Sequence, residues 1–237
     1  PICNDYVSLW DYTAPNGANE KVSEVVLAAQ FSNDESTWGR FGNQMHLYYP
    51  SVYQNLAGTS RDISGGREFS YARATNYTMD VFDRVNDSRF WKSFITTYGC
   101  NNSKGAPAWT EENIAYAPAG AVIGGKRFAG GDLAIKYIVN NAGDTRYTAV
   151  ANDATGVLRN GTMENTHTFV RYFSGEAQGW VGVHGNNGYY GTQMRSVALS
   201  KYRDGYRVNI ASQFGTRDAI VARSAEDVLM VAEAYIR

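Results

Sequence analysis

The densest group of chemically capable side chains in this sequence is an aromatic cluster interleaved with amides between residues 33 and 55. The rings are Trp38, Phe41, His46, Tyr48, Tyr49 and Tyr53, and the amides are Asn33, Asn43, Gln44, Gln54 and Asn55. Sugars present apolar C–H faces and hydroxyl edges, so a carbohydrate site needs flat rings beside planar hydrogen-bonding groups. The cluster predicts a ligand site, with Trp38, Tyr48 and Tyr49 as favoured platforms and Asn43 and Tyr53 beside them. The alternative is that about half of the rings fill the core beneath a long loop.

Two further stretches carry rings that could contact a ligand. Residues 179–191 form a glycine-rich loop with Trp180, His184, Tyr189 and Tyr190. Its glycines would let the backbone approach a ligand closely or merely let the chain turn, and the loop could also face a partner protein. Trp109, beside Pro107 and two glutamates, is a weaker third platform.

No catalytic or metal-binding pattern stands out. Asp80 and Asp83 lie one helical turn apart, but Asp83 and Asp87 are close in sequence to Arg84 and Arg89, which favours a structural role over acid–base chemistry. A glycosidase needs two carboxyl groups facing each other across a cleft, which spacing in sequence cannot establish. The three histidines, His46, His167 and His184, lack the spacing of a zinc site. We therefore expect no catalytic residue, no metal and no cofactor.

Composition narrows the function classes. The 22 Lys and Arg residues nearly balance the 23 Asp and Glu residues, and no basic stripe is present, which argues against nucleic-acid binding. No apolar run approaches the roughly 20 residues that cross a bilayer, and residues 1–20 lack the pattern of a leader. Cys3 and Cys100 have no CxxC spacing. The interpretation that they are unrelated thiols competes with a bridge in an oxidising compartment.

The elements that would position these groups are short. With 24 glycines, 17 tyrosines and only 19% charged residues, the composition predicts an α+β fold that is rich in loops. Strands are expected at residues 22–31, 90–97, 133–139, 168–173 and 197–202, and a short helix at residues 77–84. Residues 224–237 predict an amphipathic helix with Ser224 as its N-cap and Asp227 returning the hydrogen bond. Its apolar face has no second helix to cover it, so we expect the chain to be a piece of a longer protein.

The same C-terminal segment carries a family resemblance. Arg217 and Asp218 lead into an apolar strand, and residues 223–234 read Arg-Ser-Ala-Glu-Asp-Val-Leu-Met-Val-Ala-Glu-Ala. This resembles the C-terminal signature of the SusD/RagB family, although Ser224 replaces the usual aromatic residue. Three more stretches agree with the family in order: residues 23–31, residues 72–90 with their Asp-Ser-Arg-Phe turn, and residues 197–204 with their Lys-Tyr pair. Residues 92–195 carry little that matches.

The resemblance implies a non-catalytic surface lipoprotein of the outer membrane that captures a nutrient for a TonB-dependent, SusC-like transporter. Residues 1–237 would be the C-terminal region of such a protein, and residues 224–237 would start a helix of its tetratricopeptide-type superhelix. The lipid anchor would lie outside this chain. A glycan is the expected ligand; a peptide, as in RagB-like relatives, and a glycoside hydrolase are the alternatives.

Overall fold

A computed structural model describes residues 2–12, 14–31, 34, 42–69, 71–149, 157–175 and 196–237. Within these residues the chain is α+β and loop-rich, with small sheets and few helices, which confirms the expected fold class. The α-helices are α1 (Met45–Tyr48), α2 (Asn76–Asp80), α3 (Arg89–Ser93) and α4 (Ser224–Ile236). Short 3₁₀ turns join them at Tyr6–Leu9, Ala18–Lys21, Tyr53–Asn55, Ser103–Gly105, Ile114–Tyr116 and Ser200–Tyr202.

The strands form separate small sheets. They are β1 (Val25–Ala29), β2 (Phe94–Ile95), β3 (Thr97–Gly99), β4 (Leu133–Ile138), β5 (Tyr147–Ala149), β6 (Val157–Arg159), β7 (Thr162–Met163), β8 (His167–Val170), β9 (Ala198–Leu199) and β10 (Ala219–Arg223). β1 pairs antiparallel with β10, and β2 pairs antiparallel with β9. β4 lies between antiparallel β3 and parallel β8, while β5, β6 and β7 form an antiparallel meander.

The main core lies on the β3–β4–β8 sheet and is dominated by aromatic rings. Aromatic side chains bury large apolar areas and favour offset or edge contacts. Tyr53 stacks on Tyr98 with centroids 4.7 Å apart, and Tyr137 stacks on Phe169 at 5.2 Å. The buried members of this cluster are Tyr53, Leu56, Met79, Phe90, Phe94, Tyr98, Cys100, Ala106, Phe128, Ala134, Ile135, Tyr137, Phe169 and Val197.

Three of the expected elements differ from the structure. The helix expected at residues 77–84 is α2, which ends at Asp80, and the strand expected at residues 197–202 is the short β9 followed by the 3₁₀ turn Ser200–Tyr202. Residues 90–97 were expected to be one strand, but α3 occupies Arg89–Ser93 and only β2 and β3 follow. The physical reason is that Phe90 and Ser93 are both buried and lie three residues apart on one face of α3, while Phe94 has extended backbone and begins β2. The Asp87 carboxylate also accepts a hydrogen bond from the Arg89 backbone at 2.9 Å, which shapes the turn before α3. The structural role expected for Asp87 and Arg89 is thus confirmed.

Helix α4 has the expected bounds but not the expected cap. Arg223 occupies the N-cap position, but its side chain makes no capping hydrogen bond to the helix. The backbone N–H of Ser224 donates to the Glu24 carbonyl at 2.9 Å. The predicted capping box of Ser224 and Asp227 is therefore wrong, because the carbonyl of Glu24, just before β1, accepts the hydrogen bond from the Ser224 N–H. Every side chain of α4 is at least partly exposed, and Leu229 is 68% exposed. Among the described helices, none is long and apolar enough to cross a membrane.

Candidate functional site

The ring platform, defined here as Tyr48, Phe69 and Tyr71, is an exposed group of aromatic side chains beside α1. Tyr48 is 40% exposed and Tyr71 is 70% exposed. Their ring centroids lie 5.5 Å apart with planes at 61°, and Phe69 lies 5.5 Å from Tyr71. Non-parallel exposed rings offer faces that sugar C–H groups can contact.

Backbone hydrogen bonds fix the two strips of chain that carry the ring platform. The N–H of Phe69 donates to the Leu47 carbonyl at 2.8 Å, and the N–H of Ala72 donates to the Tyr48 carbonyl at 3.0 Å. Leu47 is buried, so α1 is anchored by its inner face while Tyr48 points outward. The Arg67 guanidinium lies 5.2 Å from the Phe69 ring centroid, which covers one side of that ring with a cation–π contact.

Tyr49 lies next to the ring platform but has a different environment. Its ring stacks on Tyr202 with centroids 4.8 Å apart and planes at 25°. It also lines a cleft of about 190 Å³ together with Arg73 and Thr78. Tyr49 therefore has one covered face and one side toward this cleft.

Three of the sequence-predicted site residues are structural here. Tyr53 is 1% exposed and stacked on Tyr98, so it fills the core and is not a platform. Trp109 is 4% exposed, and the Arg127 guanidinium lies 5.2 Å from its ring centroid, so it too is covered. The buried Asn43 amide donates to the Arg217 carbonyl at 2.8 Å and accepts from the Met45 N–H, which ties two segments together. Burial argues against Trp109 as a ligand platform, whereas Asn43 and Tyr53, although buried, each line a cleft, of about 280 and 130 Å³ respectively.

The remaining predicted rings, Trp38, Trp180 and Tyr189, lie outside the described residues, as do His184 and Tyr190. Sequence reasoning also missed two members of the ring platform, Phe69 and Tyr71. Tyr71 lies outside the amide-rich cluster, and the only signal for it is the alternation of Phe69 and Tyr71, which puts two rings on one side of an extended segment.

The carboxylates considered for catalysis are occupied by hydrogen bonds. Both carboxylate oxygens of Asp80 accept from the buried Arg171 guanidinium, at 2.7 and 2.6 Å, and this pairing lowers the pKa of Asp80 below its ordinary value. Hydrogen bonds from Asn86 and Val85 lower the pKa of Asp83 as well. A glycosidase acid needs a raised pKa, so this pair is arranged to stay ionised.

The described histidines and cysteines have structural surroundings. His46 is buried, and its Nδ1 lies 3.1 Å from the Asn43 carbonyl; His167 Nε2 lies 2.7 Å from the Ala57 carbonyl. No group of three or more metal-ligating side chains occurs among the residues that the structure covers. Cys3 and Cys100 are free thiols, which favours the interpretation of unrelated cysteines over a bridge.

A buried polar centre lies on the inner side of α1. The Asp204 carboxylate accepts from the N–H groups of Tyr206 and Thr216, and burial raises its pKa. Gly215 allows the close approach of the two segments, because a Cβ there would lie 2.5 Å from Asp204 Oδ2 and 2.8 Å from the Asn43 carbonyl oxygen. This buried centre holds α1 on its inner side, and α1 in turn positions the ring platform on its outer side.

In comparisons with known proteins, no protein-family model, no curated protein and no solved structure matches this chain.

Proposed function

We propose that this chain captures a glycan without cleaving it and passes it to a SusC-like, TonB-dependent transporter at the outer-membrane surface. The observation that carries the proposal is the exposed pair of Tyr48 and Tyr71, held in place by backbone bonds rather than by burial of the rings. Rings that lie on a fixed backbone lose little freedom when a sugar stacks on them, which favours binding.

Two features support the membership in the SusD/RagB family that this proposal assumes. The motifs at residues 72–90 and 217–234 agree in order with the family, and Asp87 and Arg89 form a structural turn, as the resemblance implies. Helix α4 also exposes Leu229 and Tyr235, as expected for a helix that starts a superhelix. In such a protein a lipid anchor outside this chain would hold it at the cell surface.

The shape of the ring platform favours a glycan over a peptide. A peptide would need pockets that take alternate side chains, whereas Tyr48 and Tyr71 present open ring faces at 61° to each other. Two such faces suit a bent chain of sugars, each of which contacts one ring. The open surface also leads us to expect weak affinity, because little of the ligand is buried.

The test is a pair of double variants assayed for glycan binding by calorimetry and for melting temperature. Tyr48→Ala with Tyr71→Ala should weaken binding of the best ligand in a glycan panel by about 5- to 150-fold, since stacking burial contributes roughly 1 to 3 kcal/mol. The melting temperature should hardly change. The matched control is Tyr77→Ala with Tyr235→Ala, which removes two exposed tyrosines elsewhere.

Unchanged binding in the first variant, or equal loss in both, would contradict the proposal. A second arm of the same experiment addresses cleavage. Incubation of the wild-type chain with the bound glycan should release no reducing ends, because Asp80 and Asp83 are held ionised. Release that disappears in Asp80→Asn would show that the chain is a glycoside hydrolase.

A further inference from the structure

A second cleft, of about 130 Å³, lies where the loop of residues 60–66 meets β2 and β3. A cavity of about 10 to 15 Å³ measured in this way holds one water, so the cleft has room for one sugar unit. Its floor is the edge of the stacked Tyr53 and Tyr98 rings, with Ile95 beside them. The cleft thus combines a small apolar floor with polar walls.

The loop that forms one wall is rigidly built around Asp62. The Asp62 carboxylate accepts from the Gly65 N–H at 2.5 Å, from Ser64 Oγ at 2.9 Å and from Asn101 Nδ2 at 2.7 Å. Gly65 closes over the Tyr53 ring so tightly that a Cβ there would lie 2.3 Å from it. A wall that is already ordered costs little entropy when a ligand binds.

Arg203 also lines this cleft. Its backbone is fixed, since its N–H donates to the Ser200 carbonyl and its own carbonyl accepts from Arg217 at 2.9 Å. Its side chain, in contrast, makes no hydrogen bond or ion pair with any residue that the structure describes. Other arginines nearby are satisfied: Arg217 donates to two carbonyls, and Arg61 pairs with Glu68 at 2.8 Å. Arg203 therefore has a fixed backbone and a guanidinium that has no anionic partner among the described residues.

A guanidinium presents paired donors that match a carboxylate in a bidentate geometry. No ion pair joins Arg203 to Asp62 within the described part of the chain, although both line the same cleft. A ligand for this cleft must therefore carry an anionic group for Arg203 and neutral hydroxyls for the Asp62 side. The hydroxyls of Ser64 and Thr97 line the cleft as well and can exchange hydrogen bonds with such a ligand.

We infer that this cleft binds an acidic sugar unit, with the sugar carboxylate on Arg203 and its hydroxyls on Asp62, Ser64 and Thr97. A uronic acid carries both groups on one ring, and Ile95 offers an apolar contact to its C–H groups in the cleft. The inference rests on the proposed glycan capture and specifies its ligand class, because a neutral sugar leaves the Arg203 charge uncompensated.

The experiment compares glucuronic and galacturonic acid oligosaccharides with their carboxyl-reduced, neutral forms, using calorimetry at low salt. Each acidic form should bind at least about 10-fold more tightly than its neutral form, because charge-assisted hydrogen bonds are about twice as strong as neutral ones. Arg203→Gln should abolish this difference while leaving affinity for the neutral form unchanged. Arg203→Lys should restore part of the affinity difference, since lysine keeps the positive charge but lacks the paired donors of a guanidinium.

The matched control is Arg237→Gln, which removes the same charge from the exposed end of α4. It should leave both affinities unchanged, and all variants should melt like the wild type, because the Arg203 side chain holds no other residue in place. The inference is overturned if neither acidic oligosaccharide binds more tightly than its neutral form, or if Arg203→Gln weakens both forms equally or neither.

The same ligands separate this inference from the proposed function. If Tyr48→Ala with Tyr71→Ala leaves binding intact while Arg203→Gln still removes the acidic preference, the ring platform is excluded and the cleft stands. If the double variant weakens acidic and neutral forms alike while Arg203→Gln has no effect, the ring platform stands and the cleft assignment is lost.

Discussion

Tyr48 and Tyr53 lie five residues apart in one segment, yet one ring belongs to the surface and the other to the core. Tyr48 is 40% exposed and faces Tyr71, while Tyr53 is 1% exposed and parallel to Tyr98 within 6°. The two residues share composition and neighbourhood in the sequence. Their difference shows that a run of aromatic residues does not by itself define a binding surface.

The difference arises from the way in which α1 is anchored. His46 and Leu47 are buried on its inner side, so the one-turn helix must turn Tyr48 outward. The chain then passes the buried Ser51 and begins a 3₁₀ turn at Tyr53, which directs that ring inward. Tertiary anchoring of two small elements, and not the local sequence, therefore separates ligand-facing rings from core rings.

The largest expected effect is the loss of stability when a ring is removed from the core. Tyr137 is buried, stacks on Phe169 and shares a 2.8 Å hydrogen bond with Ser51. Tyr137→Ala should lower the free energy of unfolding by about 3 to 5 kcal/mol, because it opens a cavity in the aromatic core. Urea denaturation measures this loss. Tyr137→Phe keeps the ring and should cost about 1 to 3 kcal/mol through the unpaired Ser51 hydroxyl.

The exposed counterpart is Tyr71→Ala, which should change the unfolding free energy by no more than about 0.5 kcal/mol. If Tyr71→Ala and Tyr137→Ala destabilised the chain equally, the division between surface rings and core rings would be wrong. The ring platform would then be part of the packing, and the proposed glycan site would lose its basis.

A middle-sized effect is expected from His46, which anchors α1 on the core side. Burial, together with the nearby positive charge of Arg207, lowers the pKa of His46 to about 4. Its unfolded pKa is about 6.5. Between these values the unfolded state binds the proton and the folded state does not, so stability falls as the pH drops from 6.5 toward 4.

Between pH 7.5 and pH 5.5 the His46 contribution to the loss of unfolding free energy should be about 1 kcal/mol. Urea midpoints of the wild type and of His46→Gln at the two pH values measure it, and the variant should show the smaller pH dependence. Keeping the pH above 5.5 limits the opposing contribution of Asp204, whose raised pKa favours folding when it is protonated. Parallel pH profiles in the two proteins would mean that His46 is not buried as described.

The elements with a clear period could be predicted from the sequence. β4 at Leu133–Ile138 and α4 at Ser224–Ile236 lie where apolar residues recur at strand and helix spacing. The strand expected at residues 90–97 failed because Phe90 and Phe94 are compatible with both periods until the core that they enter is known. A short element contains too few apolar repeats to distinguish the period of a helix from that of a strand.

The candidate sites could be predicted only in part. The sequence indicated that Tyr48 and Tyr53 belong to a ring-rich segment, but their exposure depends on contacts with residues far along the chain. The second cleft is harder still, since it brings Asp62, Asn101 and Arg203 together from three distant segments. An arginine without a partner has no signature in sequence, because its pairing is a property of the folded chain.

The smallest expected effect concerns α4, which is exposed and apolar like the ring platform and is tied to the other described residues near Ser224. Leu229→Ala should change the unfolding free energy by no more than about 0.5 kcal/mol, because the 68% exposed side chain buries little and Ala is a better helix former. The matched control is Leu47→Ala, which removes a 1% exposed leucine from beneath the ring platform and should cost about 2 to 5 kcal/mol. Urea denaturation of both variants at two protein concentrations gives the comparison.

A loss above 1 kcal/mol for Leu229→Ala that grows with protein concentration would show that α4 packs against a second copy. Its apolar face would then already be covered, and it would no longer support the superhelix expected from the family resemblance.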